Sequence, residues 1–147
     1  MIESCFIRAA NENDITAINV LNESEGLDFV ASIENTWVAV DVNDNLLGFI
    51  RMIMGNNGVM HINPVATSKD YRGLGIGRML VEDVVERFGE VRLIARGDTK
   101  GFYRALGARE INWTEVDPLA GHNCEGCAIV SSCAPMPMAI KSKGDCI

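Results

Sequence analysis

The segment Asp70-Tyr71-Arg72-Gly73-Leu74-Gly75-Ile76-Gly77-Arg78 constrains the architecture of this chain more than any other. Its three glycines alternate with other residues directly before an amphipathic run. Glycine permits unusual backbone angles and lets main-chain N–H groups approach a ligand closely. A helix that begins here adds unpaired N–H groups and the positive end of its dipole. The segment therefore predicts a strand-to-helix turn with a binding site for a phosphate or diphosphate.

The predicted helix after this turn has a clear apolar face. Its apolar residues are spaced four apart, at Ile76, Leu80, Val84 and Phe88. Gly89 is expected to end the helix. In the turn itself, Arg72 and Arg78 flank the glycines, and each guanidinium can pair with phosphate oxygens.

Outward from this turn, alternating apolar residues and turn residues predict the other elements. A helix over Ile15–Leu21 is expected to end at Gly26, with a second short helix at 27–35, and a further helix is predicted at 99–106. The predicted strands are 4–9, 36–42, 46–54, 59–67, 91–95, 111–116 and 138–140. Three of these strands follow one another through tight turns, as in an antiparallel meander. The order predicts an α/β domain with a mixed, mostly antiparallel sheet flanked by helices.

Length and composition narrow the class of protein. A chain of 147 residues corresponds to one domain. No apolar stretch approaches the roughly 20 residues of a membrane-spanning helix, and the first ten residues do not resemble a secretory signal. The net charge of −7 disfavours nucleic-acid binding. The odd number of cysteines, five, favours reduced thiols, so we expect a cytoplasmic protein.

Two familiar phosphate motifs do not fit the glycine segment. A Walker loop continues as Gly-Lys-Ser/Thr, whereas Gly77 is followed by Arg78 and Met79. A dinucleotide loop needs G-x-G-x-x-G after a first strand, whereas here three meander strands come before glycines spaced at every second residue. The pattern that does fit is R-x-x-G-x-G, from Arg72 to Gly77.

With this pattern the sequence resembles the GNAT family of acetyl-CoA-dependent N-acetyltransferases. Residues 65–71 are similar to the end of the family's fourth strand and its approach to the loop. Residues 102–108, Phe-Tyr-Arg-Ala-Leu-Gly-Ala, are similar to a second family motif, F-Y-x-x-x-G-F/A. The resemblance covers about residues 4–116 and 136–142, and the order of the predicted elements agrees with it. It implies an acyl-CoA N-acyltransferase-like fold and transfer of an acetyl group to a primary amine.

The resemblance also implies site residues. Backbone groups of Val65, Ala66 and Thr67 would bind the pantetheine arm of acetyl-CoA, and N–H groups of the central strand would stabilise an oxyanion. Tyr103 would act as general acid toward the departing thiolate. The diphosphate would be held by backbone N–H groups of Arg72, Gly73, Leu74, Gly75, Ile76, Gly77 and Arg78.

Several residues are candidates for the general base. His61 is the first candidate because its side chain titrates near neutral pH. Asp28 and Glu34 are weaker candidates, in the region that shapes the acceptor pocket in the family. The acceptor amine could also arrive neutral or lose its proton to water.

Three positions depart from the family pattern. Arg96 stands seven residues before Tyr103, where the family often has asparagine, and this puts one coenzyme contact in doubt. Lys69 replaces a common proline, and Ala108 closes the second motif in place of phenylalanine.

A Cys-, Gly- and Pro-rich segment, residues 117–137, lies between the last two predicted strands. Within it, His122, Cys124, Cys127 and Cys133 could supply four metal ligands, because a C-x-x-C turn brings two sulfurs together. The spacing matches no recognised zinc pattern, so no metal ligand is assigned. A structural zinc or iron–sulfur site, a redox pair and ordinary reduced thiols all stay open.

The sequence leaves the function with two alternatives. The first is a non-catalytic acyl-CoA sensor, and the second is a metal- or redox-sensing module built on the same scaffold. The acceptor is not specified by the residues: a small-molecule amine and a peptide or protein amine are both compatible. The resemblance also allows a homodimer.

Overall fold

A computed structural model describes residues 5–117 and 134–142 of the chain. Three α-helices lie in this part of the chain: α1 (Ile15–Ser24), α2 (Ile76–Phe88) and α3 (Lys100–Ala105). The strands are β1 (Phe6–Ala9), β2 (Thr36–Val40), β3 (Leu46–Met54), β4 (Met60–Thr67), β5 (Glu90–Ala95), β6 (Arg109–Glu110) and β7 (Met136–Lys141). They form one sheet in the order β1-β2-β3-β4-β5-β7-β6.

The pairing confirms the predicted mixed, mostly antiparallel sheet. β1 pairs with β2, β2 with β3, β5 with β7 and β6 with β7, all antiparallel. β4 and β5 are parallel, with Met60 opposite Val91 and His61 opposite Arg92. A parallel pair needs a crossover connection, and α2 supplies it.

The chain divides into two compact units. The first unit comprises residues 1–52 and 64–81, and the second unit comprises residues 53–63 and 82–147. Apolar side chains of α1, β2 and β3 form a core in the first unit, with Ile18, Val38 and Phe49 fully buried. In the second unit, Ile111 and Val116 pack with Ala139 of β7.

Helix α2 has the boundaries that the apolar spacing predicts. Ile76, Leu80 and Val84 of the predicted face are buried. Gly89 follows the last residue with a φ of +79°, and its N–H donates to the carbonyl of Val85 at 2.8 Å. A glycine suits this helix end because other residues adopt positive φ only with strain.

The predicted helix at 27–35 is wrong. Gly26 ends α1 with a φ of +70°, and no helix follows before β2 in the structure. The side chain of Asn19 replaces helical hydrogen bonds: its Nδ2 donates to the carbonyl of Val30 at 3.0 Å, and its Oδ1 accepts from the N–H of Val30 at 2.8 Å. This side-chain bridge fixes an irregular segment on α1, with Val30 buried.

The predicted strand at 111–116 is also wrong. Arg109 and Glu110 pair with β7, and the N–H of Ile111 still donates to the carbonyl of Pro137 at 3.0 Å, but Trp113–Glu115 then forms a 3-10 turn. Asn112 caps this turn: its Oδ1 accepts from the N–H of Thr114 at 3.0 Å, while its own N–H donates to Glu115 Oε2 at 2.9 Å. Local side-chain hydrogen bonds of this kind compete with strand pairing.

Within residues 5–117 and 134–142, the helices are too short or too polar for a membrane-spanning segment.

The Asn19 bridge leads to a stability prediction. Asn19→Ala should lower the free energy of unfolding by about 2 kcal/mol, because two hydrogen bonds to a buried backbone are lost. Asn13→Ala is the matched control, since Asn13 is exposed. Urea unfolding of both variants measures the difference. Equal stability of the two variants would contradict the assigned role of Asn19.

Candidate active site

The glycine segment forms the predicted turn into α2. Lys69–Tyr71 makes a 3-10 turn, and Arg72 is extended, with φ −69° and ψ 151°. Gly73 and Gly75 then adopt φ values of +80° and +86°, which only glycine adopts readily. The N–H of Met79 donates to the carbonyl of Gly75 at 3.0 Å, so the helical bonds begin at the last of these residues. The N–H groups of the first turn therefore point toward the glycine turn, as an anion site requires.

The end of β4 lies beside β3 in the first unit. Val65, Ala66 and Thr67 are its last residues, and the N–H of Ser68 donates to the carbonyl of Leu47 on β3 at 2.8 Å. These backbone groups are the ones expected to bind the pantetheine arm.

Gly48 on β3 makes this arrangement possible. A Cβ added to Gly48 would lie 2.7 Å from the carbonyl oxygen of Ala66 and 3.3 Å from both Thr67 Cα and Ile76 Cγ2. Glycine thus allows β3 to approach both Val65–Thr67, called here the pantetheine segment after its expected ligand, and Ile76, the first residue of α2. Gly48 is absent from the residues predicted for the site, although an isolated glycine within a strand is a recognised sign of close backbone approach.

Arg72 has a protein partner. Its Nη2 forms an ion pair with Oε1 of Glu25, the residue that follows α1. The spacing of Arg72 to the glycines predicts a place at the phosphate site, but no local pattern indicates Glu25, because the two residues are far apart in the chain.

In the second unit, Tyr103 lies on α3 with 7% of its surface exposed. Its ring contacts Phe102 edge to face, with centroids 5.0 Å apart and planes at 74°. Burial raises the pKa of Tyr103 to about 12. The phenol therefore keeps its proton throughout the neutral and mildly alkaline range.

His61 is fully buried in the second unit and both of its ring nitrogens are engaged. The N–H of Asp117 donates to Nε2 at 3.0 Å, so Nδ1 carries the proton and donates to the carbonyl of Val59 at 2.8 Å. Burial is the main cause that lowers the pKa of His61. This environment argues against the expected role as general base, because neither nitrogen faces solvent or has a free lone pair.

The contacts of His61 instead indicate a structural role. They join β4 to Asp117, whose carboxylate Oδ2 accepts from the N–H of Asn56 at 2.8 Å. Asn57 donates from Nδ2 to the carbonyl of Glu115 at 3.1 Å, and Arg92 donates to the same carbonyl at 2.6 Å. The β3–β4 turn is thereby tied to residues 115–117.

The other two base candidates are carboxylates on the surface. Asp28 and Glu34 are both exposed. The charge of Asp28 acts on Arg51, whose pKa is lowered overall by burial.

The proposed metal ligands His122, Cys124, Cys127 and Cys133 lie outside the described residues. In the ranges 5–117 and 134–142, no three or more His, Cys, Asp or Glu side chains are grouped so as to hold a metal ion. Cys5 is a free thiol, and burial raises its pKa.

Comparison with known proteins confirms the predicted resemblance. Residues 7–108 match the acetyltransferase (GNAT) family. This match spans more than half of the chain, which therefore belongs to the GNAT family.

Curated relatives match a little more than half of the chain. The peptidyl-lysine N-acetyltransferase YjaB of Escherichia coli (strain K12) is 31% identical over 86 residues, which cover 56% of this chain and 55% of the relative. The protein of the same name from Salmonella typhimurium is 34% identical over 86 residues, with 56% of each chain covered. The matched part is thus little more than half the length of these relatives.

Solved structures share the fold. N-acetylglutamate synthase from Neisseria gonorrhoeae, complexed with coenzyme A and N-acetyl-glutamate, has a TM-score of 0.73 at 15% identity, over 93% of this chain and 35% of that one. Rv2747 from Mycobacterium tuberculosis, in complex with CoA and NLQ, has a TM-score of 0.71 at 19% identity, and the match covers 93% of this chain and 99% of that one. A GNAT-family acetyltransferase from Staphylococcus aureus has a TM-score of 0.69 at 17% identity, and the match covers 94% of this chain and 99% of that one.

The close approach at Gly48 predicts a steric cost for any side chain. Gly48→Ala should lower the free energy of unfolding by about 1–3 kcal/mol, because the new methyl group overlaps the Ala66 carbonyl. Gly101→Ala is the matched control: its Cβ would meet nothing within 4 Å, and α3 should gain up to about 1 kcal/mol. Denaturant unfolding of both variants measures the contrast. A Gly48→Ala variant as stable as Gly101→Ala would show that the approach is not tight.

The buried imidazole predicts a pH-dependent stability. The unfolded chain takes up a proton on His61 near pH 6.5, whereas the folded chain resists it because burial lowers this pKa. The free energy of unfolding should therefore fall as the pH drops below about 6.5, by at most about 1.4 kcal/mol per pH unit from this group.

Two variants test whether His61 causes this pH dependence of the free energy of unfolding. His61→Gln supplies an oxygen that can accept from the Asp117 N–H, and it should reduce the slope between pH 6.5 and 5. His122→Gln removes the other histidine of the chain and should keep the slope. A slope that is unchanged in His61→Gln would show that another group titrates there.

Proposed function

We propose that this chain is an acetyl-CoA-dependent N-acetyltransferase that acts on a primary amine. The observation that carries the proposal is the backbone of the glycine turn, with positive φ at Gly73 and Gly75 directly before α2. In a chain of the GNAT family, this turn is the expected diphosphate site. Relatives named as peptidyl-lysine N-acetyltransferases and solved structures complexed with coenzyme A support the same reaction.

In this proposal, main-chain groups hold the cofactor. Backbone N–H groups from Arg72 to Arg78 bind the diphosphate, and backbone groups of Val65, Ala66 and Thr67 bind the pantetheine arm. Gly48 supports both parts, because a side chain at this position would overlap the Ala66 carbonyl and crowd Ile76. Main-chain donors suit this task because they are fixed by the fold and need no side-chain ordering when the ligand binds.

The reaction is a direct displacement at the thioester. The amine nitrogen forms a bond to the acetyl carbonyl carbon, and the bond from that carbon to sulfur breaks. Backbone N–H groups stabilise the negative charge that develops on the carbonyl oxygen. The departing sulfur accepts the proton of Tyr103, the amine nitrogen loses one proton to water, and the Tyr103 phenolate then regains a proton from water.

The buried environment of Tyr103 determines its pKa and therefore when it can donate its proton. With a pKa raised to about 12, the phenol is fully protonated at neutral pH, as a proton donor must be. The same shift makes it a weaker acid than a free phenol. We therefore infer that its proton moves only as the carbon–sulfur bond breaks and negative charge reaches the sulfur.

The proton of the acceptor amine leaves to water in this proposal. His61 is a poor alternative because its two nitrogens are bonded to backbone groups of Val59 and Asp117. The amine must lose its proton before or during the attack, so turnover should rise with pH until the acceptor is neutral.

The acceptor is a cationic amine at neutral pH. The net charge of −7 favours the approach of such a substrate. The name of the curated relatives makes a peptide lysine the first acceptor to examine, beside small amines.

Further parts of the proposal concern the whole protein. Residues 1–147 form one acetyltransferase domain with the Cys-rich segment inserted between β6 and β7, the protein acts in the cytoplasm, and it can form a homodimer. The free thiol of Cys5 is consistent with a reducing compartment. Sedimentation equilibrium measures the oligomeric state.

Release of free thiol from acetyl-CoA tests the function. The purified protein is incubated with acetyl-CoA and a panel of lysine peptides and small amines, with and without a chelator. Acetylation of at least one amine is expected. Binding of acetyl-CoA without turnover on any amine would instead indicate an acyl-CoA sensor, and turnover abolished by the chelator would indicate a required metal.

Tyr103→Phe tests the general acid. The phenylalanine keeps the buried ring but has no proton to donate, so turnover should fall by roughly 10²-fold. Affinity for acetyl-CoA, measured by calorimetry, should stay unchanged. If turnover is also unchanged, Tyr103 takes no part in the reaction.

A further inference from the structure

Glu25 has an unusual position for a carboxylate. It lies directly after α1, and its N–H donates to the carbonyls of Leu21 and Asn22 at 3.1 and 3.2 Å. Gly26 follows with a φ of +70° and ends the helix. The backbone of Glu25 is thus fixed at a helix terminus, and only 19% of its side chain is exposed.

A negative charge at this position is locally unfavourable. The C-terminal end of a helix carries the negative end of the dipole and favours cations. The last turn of α1 contains no basic residue. Partial burial adds a desolvation cost for the carboxylate. The contact that offsets both costs is the ion pair with Arg72.

The ion pair reaches the start of the glycine turn. Arg72 is the last extended residue before Gly73, and 48% of its side chain is exposed. Nη2 faces Glu25, and a guanidinium has further N–H donors for a second oxygen ligand. Two of the next three residues are glycines, whose backbones lose much conformational freedom on ordering. A fixed Arg72 would reduce that cost.

We infer that Glu25 is a positioning residue for the diphosphate site. Its carboxylate holds the Arg72 guanidinium at the mouth of the glycine turn, so that both the guanidinium and the turn are ordered before the ligand binds. The inference rests on the proposed binding of coenzyme A. It extends that proposal to the C-terminal end of α1, which lies outside both family motifs.

Calorimetric titration with coenzyme A and with pantetheine, which lacks the diphosphate, tests the inference. Glu25→Ala should weaken coenzyme A binding by about fivefold, because the Arg72 side chain would then lose its conformational entropy only when the ligand binds. Glu25→Gln should bind within about twofold of the wild type, since its amide oxygen can still accept from Arg72. Pantetheine should bind all three proteins equally.

Two further variants separate positioning from general effects. Glu23→Ala removes an exposed charge from the same helix end and should leave coenzyme A binding unchanged. Arg72→Ala should weaken binding, and adding Glu25→Ala to it should have no further effect, because the carboxylate acts through Arg72.

Several results would overturn the inference. They are wild-type affinity in Glu25→Ala, an equal loss for pantetheine, an equal loss in Glu23→Ala, or a loss that adds to that of Arg72→Ala. A wild-type protein that does not bind coenzyme A would instead overturn the proposed function. The two failures are therefore distinguishable.

Discussion

Backbone conformation at two glycines governs the structure on which the proposed chemistry depends. Gly73 and Gly75 have positive φ, yet a Cβ at either position would meet nothing within 4 Å. The constraint is therefore the backbone angle itself, since any other residue would fit the space but not the conformation. Gly48 is constrained in the opposite way, by the lack of space beside Ala66. Together these glycines bring the end of β4 and the start of α2 into a fixed arrangement within the first unit.

The two units contribute different functions to the proposal. The first unit holds the glycine turn, the pantetheine segment and the Glu25–Arg72 pair. The second unit holds Tyr103 and the buried His61 with its backbone partners. β3, β4 and α2 each have residues in both units. Both ring nitrogens of His61, a candidate base in the sequence, are bonded to backbone groups, and water takes its place in the proposed proton transfer.

Local sequence signals predicted the regular elements well, and side-chain hydrogen bonds to the backbone account for the errors. The boundaries of β3 and α2 follow directly from apolar periodicity and terminal glycines. The segment 27–35 has helix-compatible residues, but Asn19, eleven positions before Val30, takes over the hydrogen bonds of that residue. Asn112 has a similar effect on the predicted strand at 111–116. For the site, the loop motif predicts cofactor residues, whereas Glu25 and the partners of His61 depend on contacts between distant residues that no local pattern encodes.

The central claim is that main-chain amides of the glycine turn bind the diphosphate of coenzyme A. Backbone amide chemical shifts in a 15N-labelled protein test it most directly, with coenzyme A and pantetheine added in turn. The account predicts that the amide resonances of Gly73, Gly75 and Gly77 shift strongly with coenzyme A and little with pantetheine. Saturable binding of coenzyme A that leaves these three resonances in place would contradict it.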